Sequence, residues 1–85
     1  MINKDEIKDK LLNKYVDKNL TIVLNGNIET SFIIYNSKIL MNDYRIILTD
    51  SMKKEIIIKL DELVDVQFDN CLILDLGNQT VIIDT

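Results

Sequence analysis

The sequence predicts a mostly β, α+β domain in which one amphipathic N-terminal helix precedes a meander of six to eight antiparallel strands, forming a small, strongly bent sheet or barrel. Three observations predict it. Apolar residues recur at helical spacing only before residue 18, short β-branched runs broken by turn residues fill the chain from Asn19 onward, and Ile dominates an apolar share of 47%. With two glycines, no proline and no low-complexity tract in 85 residues, nothing marks a boundary, so residues 1–85 read as one domain.

The helix comes first. Asn3 followed by Glu6 has the form of a capping box, and Ile7, Leu11, Leu12, Tyr15 and Val16 repeat on one face, which predicts a helix from Lys4 to Asp17. At 100° per residue Lys10, Lys14 and Lys18 fall along one flank of that stripe. Strands then follow over residues 20–84. Leu20–Leu24 leads through Asn25-Gly26, a pair suited to a type I′ hairpin turn, into Ile28–Tyr35. After a bend at Asn36-Ser37 come Lys38–Met41, then Tyr44–Thr49 behind Asn42-Asp43, and Glu55–Leu60 beyond the turn at 50–54. A short strand Val64–Phe68 precedes a final hairpin in which Gly77-Asn78 joins Cys71–Leu76 to Thr80–Asp84.

Several runs are apolar on both faces, notably Phe32-Ile33-Ile34-Tyr35, Ile46-Ile47-Leu48 and Ile56-Ile57-Ile58. A sheet with one solvated face alternates, so such strands call for cover on both sides. In a short chain that cover is a closed barrel, the helix or a neighbouring subunit. A chain this short buries only roughly 60–65% of the surface its unfolded form exposes, and its core supplies about 3–5 kcal/mol unaided. One cysteine excludes an internal disulfide, and the absence of histidine excludes the usual zinc sets. Homo-oligomerisation through strand edges is the remaining support.

Composition narrows function further. There is no apolar run long enough to span a membrane, and Met1–Glu6 lacks the cationic start of a secretory signal, so the expectation is a cytoplasmic protein with no membrane partner. Abundant Ile, Lys and Asn suggest the AT-rich genome of a low-GC bacterium or its phage. Without histidine no Ser-His-Asp or Cys-His arrangement exists, and two glycines cannot build a phosphate loop. Cys71, in an apolar strand with no nearby cation, reads as a core thiol. Asp61, Glu62, Asp65 and Asp69 lack calcium-loop spacing. The expectation is a non-enzymatic binding protein with no cofactor and no metal.

Charge divides along the chain. Residues 1–60 carry +2 and residues 61–85 carry −6 with no cation, within a total of −4. This allows a mildly basic face beside an acidic hairpin.

The helix, Thr21-Ile22-Val23-Leu24-Asn25-Gly26, Asn42-Asp43-Tyr44-Arg45-Ile46-Ile47-Leu48 and Lys54-Glu55-Ile56-Ile57-Ile58-Lys59-Leu60 together resemble, over residues 1–67, the bacterial Sm-like RNA chaperone (Hfq-like) family. The resemblance implies a ring-forming small barrel in which Tyr44 stacks on a base and Lys59 reaches RNA. Leu60 and Ile57 stand where that family has histidine and tyrosine. Residues 38–84 also look like the strands of a pleckstrin-homology or GRAM-like domain, with the N-terminal helix in place of that family's closing C-terminal one. Two expectations follow. Under the first, Tyr44, Arg45, Lys59, Lys10, Lys14 and Lys18 form a basic face for single-stranded RNA or a small anionic nucleotide. Under the second, Asp61, Glu62, Asp65 and Asp69 engage a basic partner protein as a regulatory interaction module.

Overall fold

The β-branched runs become eight antiparallel strands, and the computed structural model, which describes residues 3–85, arranges them in two sheets around one core. Helix α1 spans Lys4–Lys10 and continues as a wider π-helical turn, Leu11–Tyr15. The strands are β1 (Leu20–Asn25), β2 (Glu29–Ile34), β3 (Lys38–Met41), β4 (Arg45–Thr49), β5 (Glu55–Lys59), β6 (Asp65–Phe68), β7 (Leu72–Asp75) and β8 (Thr80–Asp84). One sheet has the order β2-β1-β8-β7-β6 and the other β3-β4-β5. The last hairpin pairs with β1 of its own chain, Ile22 opposite Ile83. Met1 and Ile2, on which the reading of the N-terminus partly rests, lie outside the described residues.

Asn3 caps the helix as its spacing predicts, its Oδ1 accepting from the backbone N–H of Asp5 at 3.0 Å and of Glu6 at 3.2 Å. The helical segment ends at Tyr15, short of Asp17. Asp17 instead takes a left-handed φ of 61° and donates its N–H to the Ser37 carbonyl at 2.8 Å. Ile7, Leu11 and Tyr15 are buried, but Leu12 is 48% exposed, because the buried stripe is the narrow i, i+4 row and Leu12 sits 100° off it.

The two sheets do not close into a barrel. Their separation follows from two breaks, at Asn36 with its φ of 53° and at residues 60–64 between β5 and β6. The helix fills one side of the gap. Lys4 Nζ donates to the Asp43 carbonyl at 2.6 Å, and Ser37 Oγ donates to the Tyr15 carbonyl at 2.6 Å, so the helix is tied to both ends of β3. Lys10 Nζ lies 5.7 Å from the ring of Phe68 on β6, which places the helix between the β3 and β6 edges. On the other side the turn between β4 and β5 meets the residue after β2, where Ser51 N–H donates to the Tyr35 carbonyl at 3.0 Å.

Alternation then decides what enters the core. Leu20, Ile22, Ile34, Leu72, Leu74 and Ile83 point inward from the larger sheet, and Ile46, Leu48 and Ile58 meet them from the smaller. Each such side chain stabilises the fold by about 1.5–3 kcal/mol through burial. The residues between them point outward and are covered only in part within the chain. Ile33 is 42% exposed and Ile57 45%, and Ile47 is half-buried. The two-sided cover that the Ile runs call for is therefore only half supplied by this chain.

The Asn25-Gly26 turn differs from expectation. Asn25 pairs with Glu29, leaving the three-residue loop 26–28, and neither Asn25 nor Gly26 adopts the positive φ of a type I′ turn. Glycine suits a close approach there, since a Cβ on Gly26 would lie 3.1 Å from the Asn78 carbonyl oxygen of the last hairpin and that loop would have to give by a few tenths of an ångström. In that last hairpin Gly77 does take a positive φ, 90°, and the Asp75 carboxylate accepts its N–H at 2.9 Å.

Candidate nucleic-acid interface

Arg45 and Lys59 come together at one end of the smaller sheet, where Tyr44 precedes Arg45 and by alternation points to the opposite side of the strand, and local chemistry explains how. Asn42 Oδ1 accepts from the backbone N–H of Tyr44 at 2.8 Å and of Arg45 at 2.9 Å, a turn that asparagine forms readily. The chain enters β4 from this turn with the Tyr44 ring 71% exposed. The Leu60 N–H donates to the Tyr44 carbonyl at 2.9 Å, which makes the next pair, Arg45 opposite Lys59, the closer, non-hydrogen-bonded kind. Two cations directly opposed on adjacent strands repel each other. Both are exposed, and neither has an ion-pair partner among the described residues.

The helix lysines do not join them. Lys10 Nζ lies over the Phe68 ring and Lys14 Nζ lies 5.8 Å from the Tyr15 ring, so both ammonium groups sit over aromatic rings. Lys18 stands beyond the end of the helix, where its carbonyl accepts the Ser37 N–H at 3.0 Å, beside the start of β3. Arg45 and Lys59 occupy the opposite end of the β3-β4-β5 sheet. The expected single basic face thus separates into two regions, because the helix runs along β3 and carries its last turn away from Tyr44.

The acidic residues are likewise dispersed. Asp61 and Glu62 follow β5 directly and share with Lys59 the rim of a cleft of about 460 Å³ between the β5 edge and the larger sheet, floored by Leu24, Ile58 and Val81. Asp65 faces outward on β6 directly opposite Asp75 of β7. Asp69 lies past the far end of β6, in the turn to β7. Asp75, Asp84 and Glu29 share the outer face with Asp65, which sequence reasoning missed. Period-two alternation marks each as outward on its own strand, but only the register places them on one face.

Two buried polar groups serve the fold. Asp50 is buried, its Oδ1 accepting from Met52 N–H at 2.9 Å and Lys54 N–H at 2.8 Å, while Oδ2 has only Lys54 Nζ nearby, at 3.9 Å. Burial pushes the Tyr15 phenol above its ordinary value of 10.0; Cys71 and Asp84 add to that shift and a hydrogen bond with the Leu72 backbone opposes it. Cys71, expected in the core, is half-buried just ahead of β7. Among the described residues no three acidic or cysteine side chains converge as a metal site, and no helix is long and apolar enough to cross a membrane.

The fold and these faces define a small β-rich domain, a helix-filled pair of antiparallel sheets. Comparison of the chain with protein-family models, curated proteins and solved structures finds no match.

Proposed function

We propose that this chain is a non-enzymatic binding domain that takes single-stranded RNA, or a small anionic nucleotide, on the Tyr44, Arg45 and Lys59 end of its smaller sheet. One observation carries the reading: two cations with no ion-pair partner among the described residues are held directly opposite each other at the sheet end where the preceding residue, Tyr44, is exposed. A phosphate between Arg45 and Lys59 relieves their repulsion, and a base stacks on Tyr44. The Sm-like resemblance points to Tyr44 and Lys59 as well. The helix lysines play no part in this version of the interface.

A salt titration tests it. Two phosphate contacts on a single strand give a slope of about −1.4 in log K against log salt, so affinity falls roughly sevenfold between about 50 and 200 mM. Lys59→Gln halves that slope. Affinity independent of salt refutes the mechanism.

A second reading is favoured by a separate observation. The outer face of the larger sheet carries Glu29, Asp65, Asp75 and Asp84 and no cation, which suits a basic protein surface. Asp61 and Glu62, on the cleft rim beside Lys59, and Asp69, at the far turn, lie off that face.

A further inference from the structure

We infer that the two outer sheet faces bind each other between copies of this chain, the smaller sheet of one copy stacking on the larger sheet of the next. The inference rests partly on the basic end described above and names a second copy as its other occupant.

The two faces are complementary in character. Outward from the smaller sheet, Leu40, Ile47 and Ile57 form one cross-strand row, with Leu40 69% exposed, and the Arg45–Lys59 pair lies two residues along. Outward from the larger sheet, Val23, Ile82 and Ile73 form the central row, and the Asp65–Asp75 pair lies two residues along. Each face is thus an apolar row beside a like-charged pair, positive on one and negative on the other. Each pair is unfavourable within its own chain, and neither has an ion-pair partner among the described residues. Stacking sheet on sheet covers apolar residues of both faces and brings the cationic pair onto an acidic face. It also supplies the second-side cover that Ile33-, Ile47- and Ile57-type positions lack in one copy.

The surfaces joined differ, so the contact is heterologous and propagates into a ring or a chain. Three strands of four or five residues present at most roughly 14 by 17 Å. That is well below the roughly 800 Å² per partner of a stable interface, so the association is weak and concentration-dependent. RNA and a second copy compete for Arg45 and Lys59.

Sedimentation of the full chain from about 10 µM to about 1 mM tests the inference. The weight-average mass is expected to rise with concentration and to fall with added salt. Ile57→Asp disables the smaller-sheet face and Ile82→Asp the larger-sheet face, so each alone stays monomeric. An equimolar mixture regains a dimer and nothing larger, through the one intact face of each. If circular dichroism shows Ile82→Asp unfolded, Asp65→Lys replaces it. Wild-type protein that remains monomeric throughout, or a mixture that stays monomeric while the wild type associates, overturns the inference. A labelled single-stranded RNA separates it from the RNA reading: Tyr44→Ala still self-associates but binds RNA about 5- to 150-fold more weakly, whereas Asp65→Lys binds RNA without self-associating. If neither protein binds RNA but the mixture dimerises, the RNA reading fails and this one stands.

Discussion

Replacing Tyr44 by alanine isolates the stacking contribution. The ring is 71% exposed and its backbone is held by Asn42 and Leu60, so truncation removes little burial and leaves the turn intact. Folding stability should change by less than about 0.5 kcal/mol, the range of an exposed substitution. Base stacking on an exposed aromatic is worth about 1–3 kcal/mol. At 1.4 kcal/mol per decade this weakens RNA binding about 5- to 150-fold. Fluorescence anisotropy with a short labelled single strand, at fixed low salt, measures the change. Tyr44→Phe keeps the π face and should bind within about twofold of the parent. Because Arg45 and Lys59 remain, the salt slope should be unchanged, separating stacking from phosphate contact. An alanine variant that binds as tightly as the parent refutes the stacking argument, and so does a phenylalanine variant as weak as the alanine one.

Other substitutions probe how the fold presents these faces. Asp50→Ala leaves the Met52 and Lys54 N–H groups without their acceptor, and chemical denaturation should show a loss of about 2 kcal/mol. Gly77→Ala should cost about 1 kcal/mol through backbone alone, because its φ is 90° while a Cβ there meets only Val64 at 3.8 Å. Lys53→Gly acts in the opposite direction, since Lys53 holds a φ of 65°, and thermal melting should show a gain of about 0.5–1 kcal/mol. Tyr15, whose folded pKa lies above its unfolded one, contributes stability that is intact below about pH 10 and lost as pH rises through the folded value. Denaturation midpoints across the alkaline range should therefore fall more steeply for the wild type than for Tyr15→Phe.

The like-charged pairs link stability to binding. Arg45 opposite Lys59 and Asp65 opposite Asp75 are pairings that a sheet serving structure alone has no reason to keep. Exposure of Arg45, Lys59 and Asp65, and the Gly77 N–H donated to the half-buried Asp75, make the repulsion tolerable. The same exposure leaves each pair free to be neutralised by an incoming group of opposite charge.

Local order was largely legible in the sequence. Every strand forms within a residue or two of its β-branched run, because backbone conformation here follows side-chain branching and short turn signals such as Asn42, Asp50 and Gly77. The Asn3 cap and the i, i+4 row of Ile7, Leu11 and Tyr15 follow from the same local rules. What the sequence left open was partnership in space. That β8 pairs with β1, that two sheets stay separate around an inserted helix, and that Asn25-Gly26 answers to a distant carbonyl of Asn78 are long-range facts with no local signal. The grouping of charge is decided at that level too. Alternation fixes which way Asp65 and Asp75 point along their strands, but register sets them opposite each other, and only the path of the helix along β3 parts Lys18 from Arg45 and Lys59.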